Sequence, residues 1–159
     1  NLDLHDIARA ATTYALASYY LIQPIDSQRE LMATLVEHWQ TGFGAKYNPD
    51  RERALSIVQI LPQLADVVND IAMRYGNKPR IIVTGANLNQ QITSYQEMRQ
   101  IMAREGGDYL LLFGTGYGLA QEITDQADFR LCPIYGKEGY NHLSVRSAAA
   151  IIFDRLLGE

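Results

Sequence analysis

The chain lacks much of what several common protein classes depend on. Its single cysteine, Cys132, excludes an internal disulfide and is typical of proteins from the reducing cytoplasm. No uncharged apolar run reaches the length of about 18 residues that a membrane span needs, and no signal peptide is visible. Lys and Arg number 14 against 18 Asp and Glu, and the net charge of −4 argues against a generic nucleic-acid-binding protein. These absences favour a cytoplasmic protein without a membrane segment.

Several active-site motifs are also missing. There is no GxxxxGK[ST] P-loop and no GxSxG nucleophile elbow. His5, His38 and His142 are widely separated, so with one cysteine the sequence has no metal-ligand spacing and we expect no metal. The glycines at 114–118 do not fit GxGxxG, because Leu119 occupies the third glycine position. With 47% apolar and 20% charged residues, the 159-residue chain is expected to form one globular domain over 1–159.

Helix and strand patterns alternate along the chain. We predict helices at 4–14, 27–39, 62–76, 94–106, 118–124 and 144–157, and strands at 18–23, 55–61, 80–84, 109–114 and 129–135. Ser27 with Glu30, and Ser94 with Glu97, have the spacing of capping boxes. Residues 41–53 are interpreted as a loop. Strands separated by helices predict an α/β fold, with a parallel sheet and helices on both faces.

Two late strands each end in a glycine-bearing loop. One loop contains Gly114, Gly116 and Gly118, and the other runs from Ile134 to Ser144. Ligands bind at the carboxyl ends of parallel strands, so these loops are the candidate ligand site. The pattern of the first loop fits a ligand contact and a plain strand-to-helix turn equally well. For the second, Asn141 and Ser144 are by chemistry alone better explained as helix caps than as substrate contacts.

Candidate charged groups lie in the first third of the chain. Arg9 sits beside the apolar face of the first helix and needs an anionic partner or a ligand, a surface ion pair with Asp6 or Asp3 being the plainer alternative. Aromatic and basic residues share the loop at 43–53 and could contact RNA, although a solvated or dimer-contact loop is favoured there. Cys132 lies in an apolar strand pattern and is interpreted as a buried, inert thiol.

Three segments, taken in order, resemble the three motifs of the SPOUT class of RNA methyltransferases. The first is 1–15 (NLDLHDIARAATTYA), the second 111–119 (LLFGTGYGL) and the third 140–150 (YNHLSVRSAAA). Nearly the whole chain is also similar to a bacterial subfamily that is associated with, or fused to, tRNA guanine-N1 methyltransferase. The signatures of that subfamily match here as NLDLHDIAR, HWxxGxGAxYNPDR and YNHLSVRSA.

The resemblance implies a particular fold and cofactor site. The α/β sheet would carry a C-terminal trefoil knot, and a strand that the family places just before Asn1 would be missing from this chain. S-adenosylmethionine would bind bent in the knot and leave as S-adenosylhomocysteine, without a metal. The implied cofactor residues are Thr84, Gly85, Ala86, Phe113, Gly114, Thr115, Gly116, Gly118, Leu119, Ile134, Tyr135, Gly136, Tyr140, Asn141, His142, Leu143 and Ser144.

The resemblance also implies methyl transfer to RNA, either tRNA or rRNA, by a homodimer that has a possible tRNA guanine-N1 methyltransferase domain as partner. Arg9 would be the catalytic or substrate-orienting residue, supported by Asn1, Asn141 and Ser144. RNA would contact Arg9, Lys46, Arg51 and Arg53. A guanidinium stays protonated, so Arg9 is a poor base, and Asp6 is a speculative base for a guanine nitrogen. Two alternatives stay open: a non-catalytic module that assists a partner methyltransferase, and a flavodoxin-like protein for another nucleotide.

Overall fold

Helices and strands alternate through residues 2–41 and 48–159, which are the parts of the chain that the computed structural model describes. The helices are α1 (Leu2–Thr13), α2 (Asp26–Thr41), α3 (Pro49–Leu55), α4 (Leu64–Tyr75), α5 (Tyr95–Glu105), α6 (Gln121–Asp125) and α7 (Val145–Leu157). The strands are β1 (Tyr19–Ile22), β2 (Val58–Leu61), β3 (Arg80–Val83), β4 (Ile92–Thr93), β5 (Tyr109–Leu112) and β6 (Phe129–Leu131). They fall into two compact units, Asn1–Asp70 and Ile71–Glu159.

The first unit is built on a two-stranded parallel sheet. Strands β1 and β2 pair in register from Tyr19 opposite Val58 to Ile22 opposite Leu61. The apolar face of α1 supplies Leu4 and Ala8 to a core that α2 and α3 complete. This face has the i, i+4 spacing that the sequence pattern predicted for the first helix.

The second unit contains a four-stranded sheet in the order β4-β6-β3-β5, and all its pairs are parallel. On one face Ile82 and Leu131 pack with Met98 of α5 and Ile152 of α7. Because side chains alternate along a strand, Leu110 and Leu112 point to the opposite face. They are also buried, so both faces of this sheet are covered.

Helix boundaries follow the local capping chemistry in the second unit. The Ser94 hydroxyl accepts a hydrogen bond of 3.1 Å from the Glu97 backbone N–H, which confirms Ser94 as the N-cap of α5. That helix ends at Gly106, as expected. Gly76, with φ of +91°, follows α4 at the left-handed position that favours glycine.

Other expectations about single elements are wrong. Ser27 lies inside α2, whose first turn begins at Ile25, so it is not the N-cap. The expected loop at 41–53 is helical from Pro49 onward, because Asn48 caps α3 by accepting from the Arg51 N–H and proline suits the first turn. Leu55 therefore ends a helix instead of beginning a strand. The two-residue strand β4 lacks an apolar run long enough to be recognised.

The α/β class with parallel strands is confirmed, whereas the knot and the strand expected before Asn1 stay predictions. Cys132 is a free thiol that directly follows β6, and it is half-buried instead of fully buried. Across the described residues, none of the helices has both the length and the apolar character needed to cross a membrane.

Candidate cofactor site

Three loops of the second unit meet at one edge of its sheet. They are residues 84–91 after β3, 113–120 after β5, and 132–144 after β6. The strand register sets Val83 beside both Leu112 and Arg130, so the three strands end at the same level. We call these segments the carboxyl-edge loops. They contain every residue that the resemblance to the SPOUT class implied for cofactor binding.

The loop after β5 is a tight turn built on glycine. The Gly118 N–H donates to the Thr115 carbonyl at 2.6 Å, and Gly118 has φ of +79°. A Cβ atom on Gly114 would overlap the backbone of Gly118 and lie 2.6 Å from the Leu119 nitrogen. The two ends of the turn therefore touch through backbone atoms, and only glycine fits at position 114.

The loop after β6 closes in a similar way. A Cβ atom on Gly136 would overlap the carbonyl oxygen of Tyr140, so the chain returns onto itself across five residues. Gly139, with φ of +77°, makes the turn possible. Tyr135 and Tyr140 stand beside this closed segment with 69% and 74% of their surfaces exposed.

A side-chain hydrogen bond connects two of the carboxyl-edge loops. The Asn141 amide nitrogen donates to the Ala86 carbonyl at 3.0 Å. The sequence left Asn141 between capping α7 and contacting substrate, and the structure uses it as this link instead. Ser144 is the cap: its hydroxyl accepts from the Ser147 N–H at 3.3 Å and lies 2.9 Å from the Ser147 hydroxyl.

Three of the implied cofactor residues use their side chains within the fold. The Thr84 hydroxyl is buried and donates to the Leu112 carbonyl at 2.8 Å. Phe113 packs edge-on against Phe153, with ring centroids 6.0 Å apart, and Ile134 packs against the same core. What these residues can offer a ligand is therefore backbone.

The composition of the carboxyl-edge loops suits an adenosine group. Their only charged side chains are Lys137 and Glu138, and the remainder are small, polar, aromatic or aliphatic. A Cβ atom on Gly116 would meet no atom within 4 Å, so that backbone is open to close approach by a ligand. Backbone amides and carbonyls beside apolar surface are the groups that hold a nucleoside and fix its orientation. The residues present fit such a cofactor.

A comparison with known protein families identifies the chain. The family model described as SAM-dependent RNA methyltransferase matches residues 1–158. The chain belongs to this family. The expected membership of an RNA methyltransferase family is thereby confirmed.

Relatives of this methyltransferase domain include longer proteins. A tRNA (guanine-N(1)-)-methyltransferase of Oleidesulfovibrio alaskensis is 43% identical over 159 residues, which are all of this chain but 37% of that protein. The chain thus spans little more than a third of this curated relative. Among solved structures, TrmJ from Z. mobilis matches with a TM-score of 0.64 and 16% identity, over 97% of this chain and 62% of that one. The AdoMet-bound rRNA methyltransferase from Sinorhizobium meliloti has a TM-score of 0.57 and 16% identity, over 97% and 50%. Both show a shared fold.

The candidate catalytic arginine of this methyltransferase domain lies in the first unit, whereas the carboxyl-edge loops lie in the second. Arg9 is exposed on α1, although its neighbours Ile7 and Ala8 are buried. Asp6 precedes it by three residues, which places the two on neighbouring positions of the helix surface.

The other predicted RNA contacts have different surroundings. The Arg51 guanidinium lies over the Trp39 ring, 4.4 Å from its centroid, in a cation–π contact. Arg53 is exposed near the end of α3, and Lys46 falls outside the described residues, as does Asn1, the residue expected to support Arg9.

A histidine takes part in the same cluster of the first unit. His5 packs edge-on against Trp39 with ring centroids 5.9 Å apart, and its Nδ1 atom is buried without a hydrogen-bond partner among the described residues. Burial lowers the pKa of His5, and the nearby positive charge of Arg51 lowers it further. His5, Trp39 and Arg51 lie far apart in the sequence, so local patterns could not predict this arrangement.

A groove of about 460 Å³ lies elsewhere in the second unit, between α5 and α7. Tyr95 and Arg155 line it, with the guanidinium 5.0 Å from the ring centroid. Burial raises the pKa of Tyr95, and the neighbouring Arg155 guanidinium partly offsets that shift. No group of three or more His, Cys, Asp or Glu side chains within residues 2–41 and 48–159 is placed to hold a metal.

One exposed residue of the glycine turn was absent from the predicted site. Tyr117 lies at the tip of the turn between Thr115 and Gly118 and is fully exposed. Its position inside a Gly-x-Gly segment was the available signal, because a turn closed by glycines presents its middle residue to solvent.

Proposed function

We propose that the carboxyl-edge loops bind S-adenosylmethionine and that this domain transfers its methyl group to RNA, with tRNA or rRNA as the substrate. The observation that carries the proposal is the meeting of three loops at one sheet edge, with Asn141 bonded to Ala86, in a chain whose family match covers residues 1–158. When bound, the cofactor supplies a methyl group on a sulfonium, and the domain supplies position and orientation.

Different residues of the carboxyl-edge loops have different roles in binding the cofactor. Gly114, Gly116 and Gly118 offer backbone to the nucleoside, and Leu119 adds apolar surface next to them. The Asn141 bond to Ala86 holds the loop after β6 against the loop after β3, so that both can face one ligand. Ser144 fixes where α7 starts and therefore where the preceding residues lie.

Arg9 is proposed to act on the RNA. A guanidinium stays protonated and cannot accept the proton of the attacking group. The guanidinium can form a bidentate contact with an adjacent phosphate or stabilise a developing oxygen anion. If the acceptor is a guanine nitrogen, a carboxylate is required as base, and Asp6 is the candidate one helical turn away.

A ligand titration tests the cofactor assignment without knowledge of the RNA. S-adenosylmethionine, flavin mononucleotide and ATP are each titrated calorimetrically into the protein. Saturable binding of S-adenosylmethionine alone supports the proposal, whereas preference for flavin mononucleotide would replace it with the flavodoxin-like alternative. Methyl label is then followed from S-adenosylmethionine into bulk tRNA and rRNA, and the absence of transfer to either would contradict the enzymatic part.

Gly116→Ala tests where the cofactor lies. The added methyl group meets no protein atom within 4 Å, so the fold and its thermal midpoint should be unchanged. If the cofactor approaches this backbone, its affinity falls in the variant. Unchanged affinity would place the cofactor away from the turn.

A second function is favoured by one comparison. Since the chain spans 37% of a relative named tRNA (guanine-N(1)-)-methyltransferase, it could serve as a cofactor- or RNA-binding module that assists a partner catalytic domain. Arg9→Ala separates the two functions. Loss of methyl transfer with RNA binding retained supports catalysis by this domain, whereas unchanged activity of the complete enzyme supports the assisting module.

We further propose a homodimer in the cytoplasm as the working form.

A further inference from the structure

The carboxyl-edge loops present two aromatic rings that are largely exposed. Tyr117 is fully exposed, and Tyr140 is 74% exposed. A tyrosine ring that packs against a partner buries a large apolar area and retains a polar hydroxyl at its tip. Two such rings left in solvent beside a predicted substrate site indicate that a partner covers them.

Both rings are held by closed, glycine-dependent turns. Tyr117 is carried on the turn in which Gly114 touches the backbone of Gly118, and Tyr140 on the segment that packs against Gly136. Tyr140 also meets His142 edge-on at 5.3 Å between ring centroids. The turns restrict how far the backbone beneath each ring can move, which lowers the entropy lost when a ligand stacks on the ring.

The topology starts the two turns from strand ends that lie close to each other. Strands β5 and β6 are both hydrogen-bonded to β3, one on each side. With strands about 4.8 Å apart, the ends of β5 and β6 lie roughly 10 Å apart.

The chemistry of this edge favours a nucleobase over a protein surface. Among its exposed large apolar residues, Tyr117, Tyr135 and Tyr140 are aromatic and only Leu143 is aliphatic. The loops carry one Lys and one Glu, so no cluster of cations is present to hold a phosphate backbone. Aromatic rings stack on any unpaired base because every base has a flat π face, so the contacts offered here fall on the bases and not on the phosphates.

We infer that Tyr117 and Tyr140, on the carboxyl-edge loops themselves, form a stacking surface for unpaired bases of single-stranded RNA, and that the Tyr140 ring contacts RNA while its backbone is left for the cofactor. The inference rests on the proposed function for its RNA and adds the substrate class: a nucleotide in a loop or other unpaired segment. Bases inside a duplex are not exposed to such stacking, so double-stranded RNA should be a poor ligand.

The test uses an unstructured oligouridylate and a duplex of oligoadenylate with oligouridylate as probes. Tyr117→Ala should weaken binding of the single strand by about 5- to 100-fold, as expected for loss of one stacked base. Tyr117→Phe keeps the ring and should bind within about 2-fold of the original protein. Tyr140→Ala and Tyr140→Phe should behave in the same way, and the duplex should bind weakly to all variants.

Tyr75→Ala is the matched control. This tyrosine is 48% exposed but ends α4, just before β3 begins, and therefore lies toward the opposite edge of the sheet. Its removal should leave oligouridylate affinity unchanged. An equal loss in Tyr75→Ala, or an equal loss in Tyr117→Phe and Tyr117→Ala, would overturn the stacking surface.

Two further measurements separate this inference from other outcomes. If Tyr117→Ala leaves RNA affinity unchanged but lowers the molecular mass in sedimentation equilibrium, the ring contacts a second copy of the chain and the inference is wrong. S-adenosylmethionine affinity is measured on Tyr117→Ala and Tyr140→Ala in parallel, and a loss in Tyr140→Ala would assign that ring to the cofactor and overturn its part in the stacking surface. If the original protein does not bind S-adenosylmethionine, the proposed function is wrong. A loss of RNA affinity in Tyr117→Ala would still support the stacking surface.

Discussion

The side-chain amide of Asn141 donates a hydrogen bond of 3.0 Å to the backbone carbonyl of Ala86, across 55 residues of sequence. The bond joins the loop after β6 to the loop after β3. A ligand that contacts both loops depends on their relative position, and this bond contributes to fixing it.

Asn141→Ala should therefore weaken S-adenosylmethionine binding. A net hydrogen bond contributes about 0.5–1.5 kcal/mol, which corresponds to a roughly 2- to 10-fold increase in Kd. Asn141→Asp should weaken binding at least as much, because its carboxylate cannot donate and would face a carbonyl oxygen. Calorimetric titration measures both variants. An Asp variant that binds as tightly as the original protein would show that the link to Ala86 does not organise the site.

Gly114→Ala should destabilise the second unit. Its methyl group would overlap the backbone of Gly118, and backbone cannot yield as a flexible side chain does. We expect a loss of about 1–3 kcal/mol, typical of overpacking, seen as a lower Tm. Gly116→Ala is the matched control, because its methyl group meets nothing within 4 Å. Equal Tm values for the two variants would mean that the turn is not closed in solution.

Ser144→Ala should lower stability by about 1 kcal/mol, because it removes the acceptor that caps α7. Ser144→Thr should retain most of that stability. Ser147→Ala removes the hydroxyl that contacts Ser144 but keeps the backbone N–H that the cap needs. Its Tm should stay closer to that of the original protein, and denaturant unfolding of all three variants checks the order.

The first unit should lose stability in mild acid through His5. Its pKa is lowered from the ordinary value of 6.5 by burial and by the charge of Arg51. Between the folded and ordinary pKa values the unfolded chain binds more protons, so the free energy of unfolding rises with pH there. The contribution is complete above pH 6.5 and is lost as the pH falls through that value toward the folded pKa.

Urea midpoints at about pH 7.5 and about pH 5.5 measure this loss. His5→Gln should reduce the difference between the two midpoints. His38→Gln is the control, because it removes an exposed imidazole that also contacts Trp39, with ring centroids 5.6 Å apart. The explanation fails if the two variants change the pH dependence equally.

Arg9→Ala should abolish most methyl transfer while changing Tm little, because the side chain is exposed on α1. Arg9→Lys keeps the charge but not the planar pair of donors, so it should recover part of any phosphate binding and little of the orientation. Transfer of methyl label to bulk tRNA and rRNA measures both. Full activity in Arg9→Ala would show that another residue or a partner domain has the catalytic role.

Local sequence signals predicted most elements and the cap residues that stand directly before them. Ser94 was identified because a hydroxyl three residues before a glutamate matches the geometry of a helix start. Ser27 has the same spacing but failed, since Ile25 and Asp26 already begin the helix. Asn48 with Pro49 was an equally good start signal hidden in a segment interpreted as loop.

The candidate site was predictable to a smaller extent. The glycine turns are visible in sequence because a close backbone approach needs residues without Cβ. The assignment of Asn141 was not, because a side-chain amide caps a helix or bonds a distant carbonyl equally well, and only the position of Ala86 decides. The same holds for Thr84 and Phe113, whose side chains are used by the fold.

By itself, the sequence determined that helices alternate with parallel strands, that glycine turns follow β5 and β6, and that the chain resembles an RNA methyltransferase. These depend on local periodicity and residue type. The tertiary structure decided the strand order β4-β6-β3-β5, which places three loops at one edge, and it decided which polar groups are left for a ligand. The physical reason is that strand pairing and the Asn141–Ala86 bond join residues far apart in the chain, and such pairings follow from packing of the whole unit.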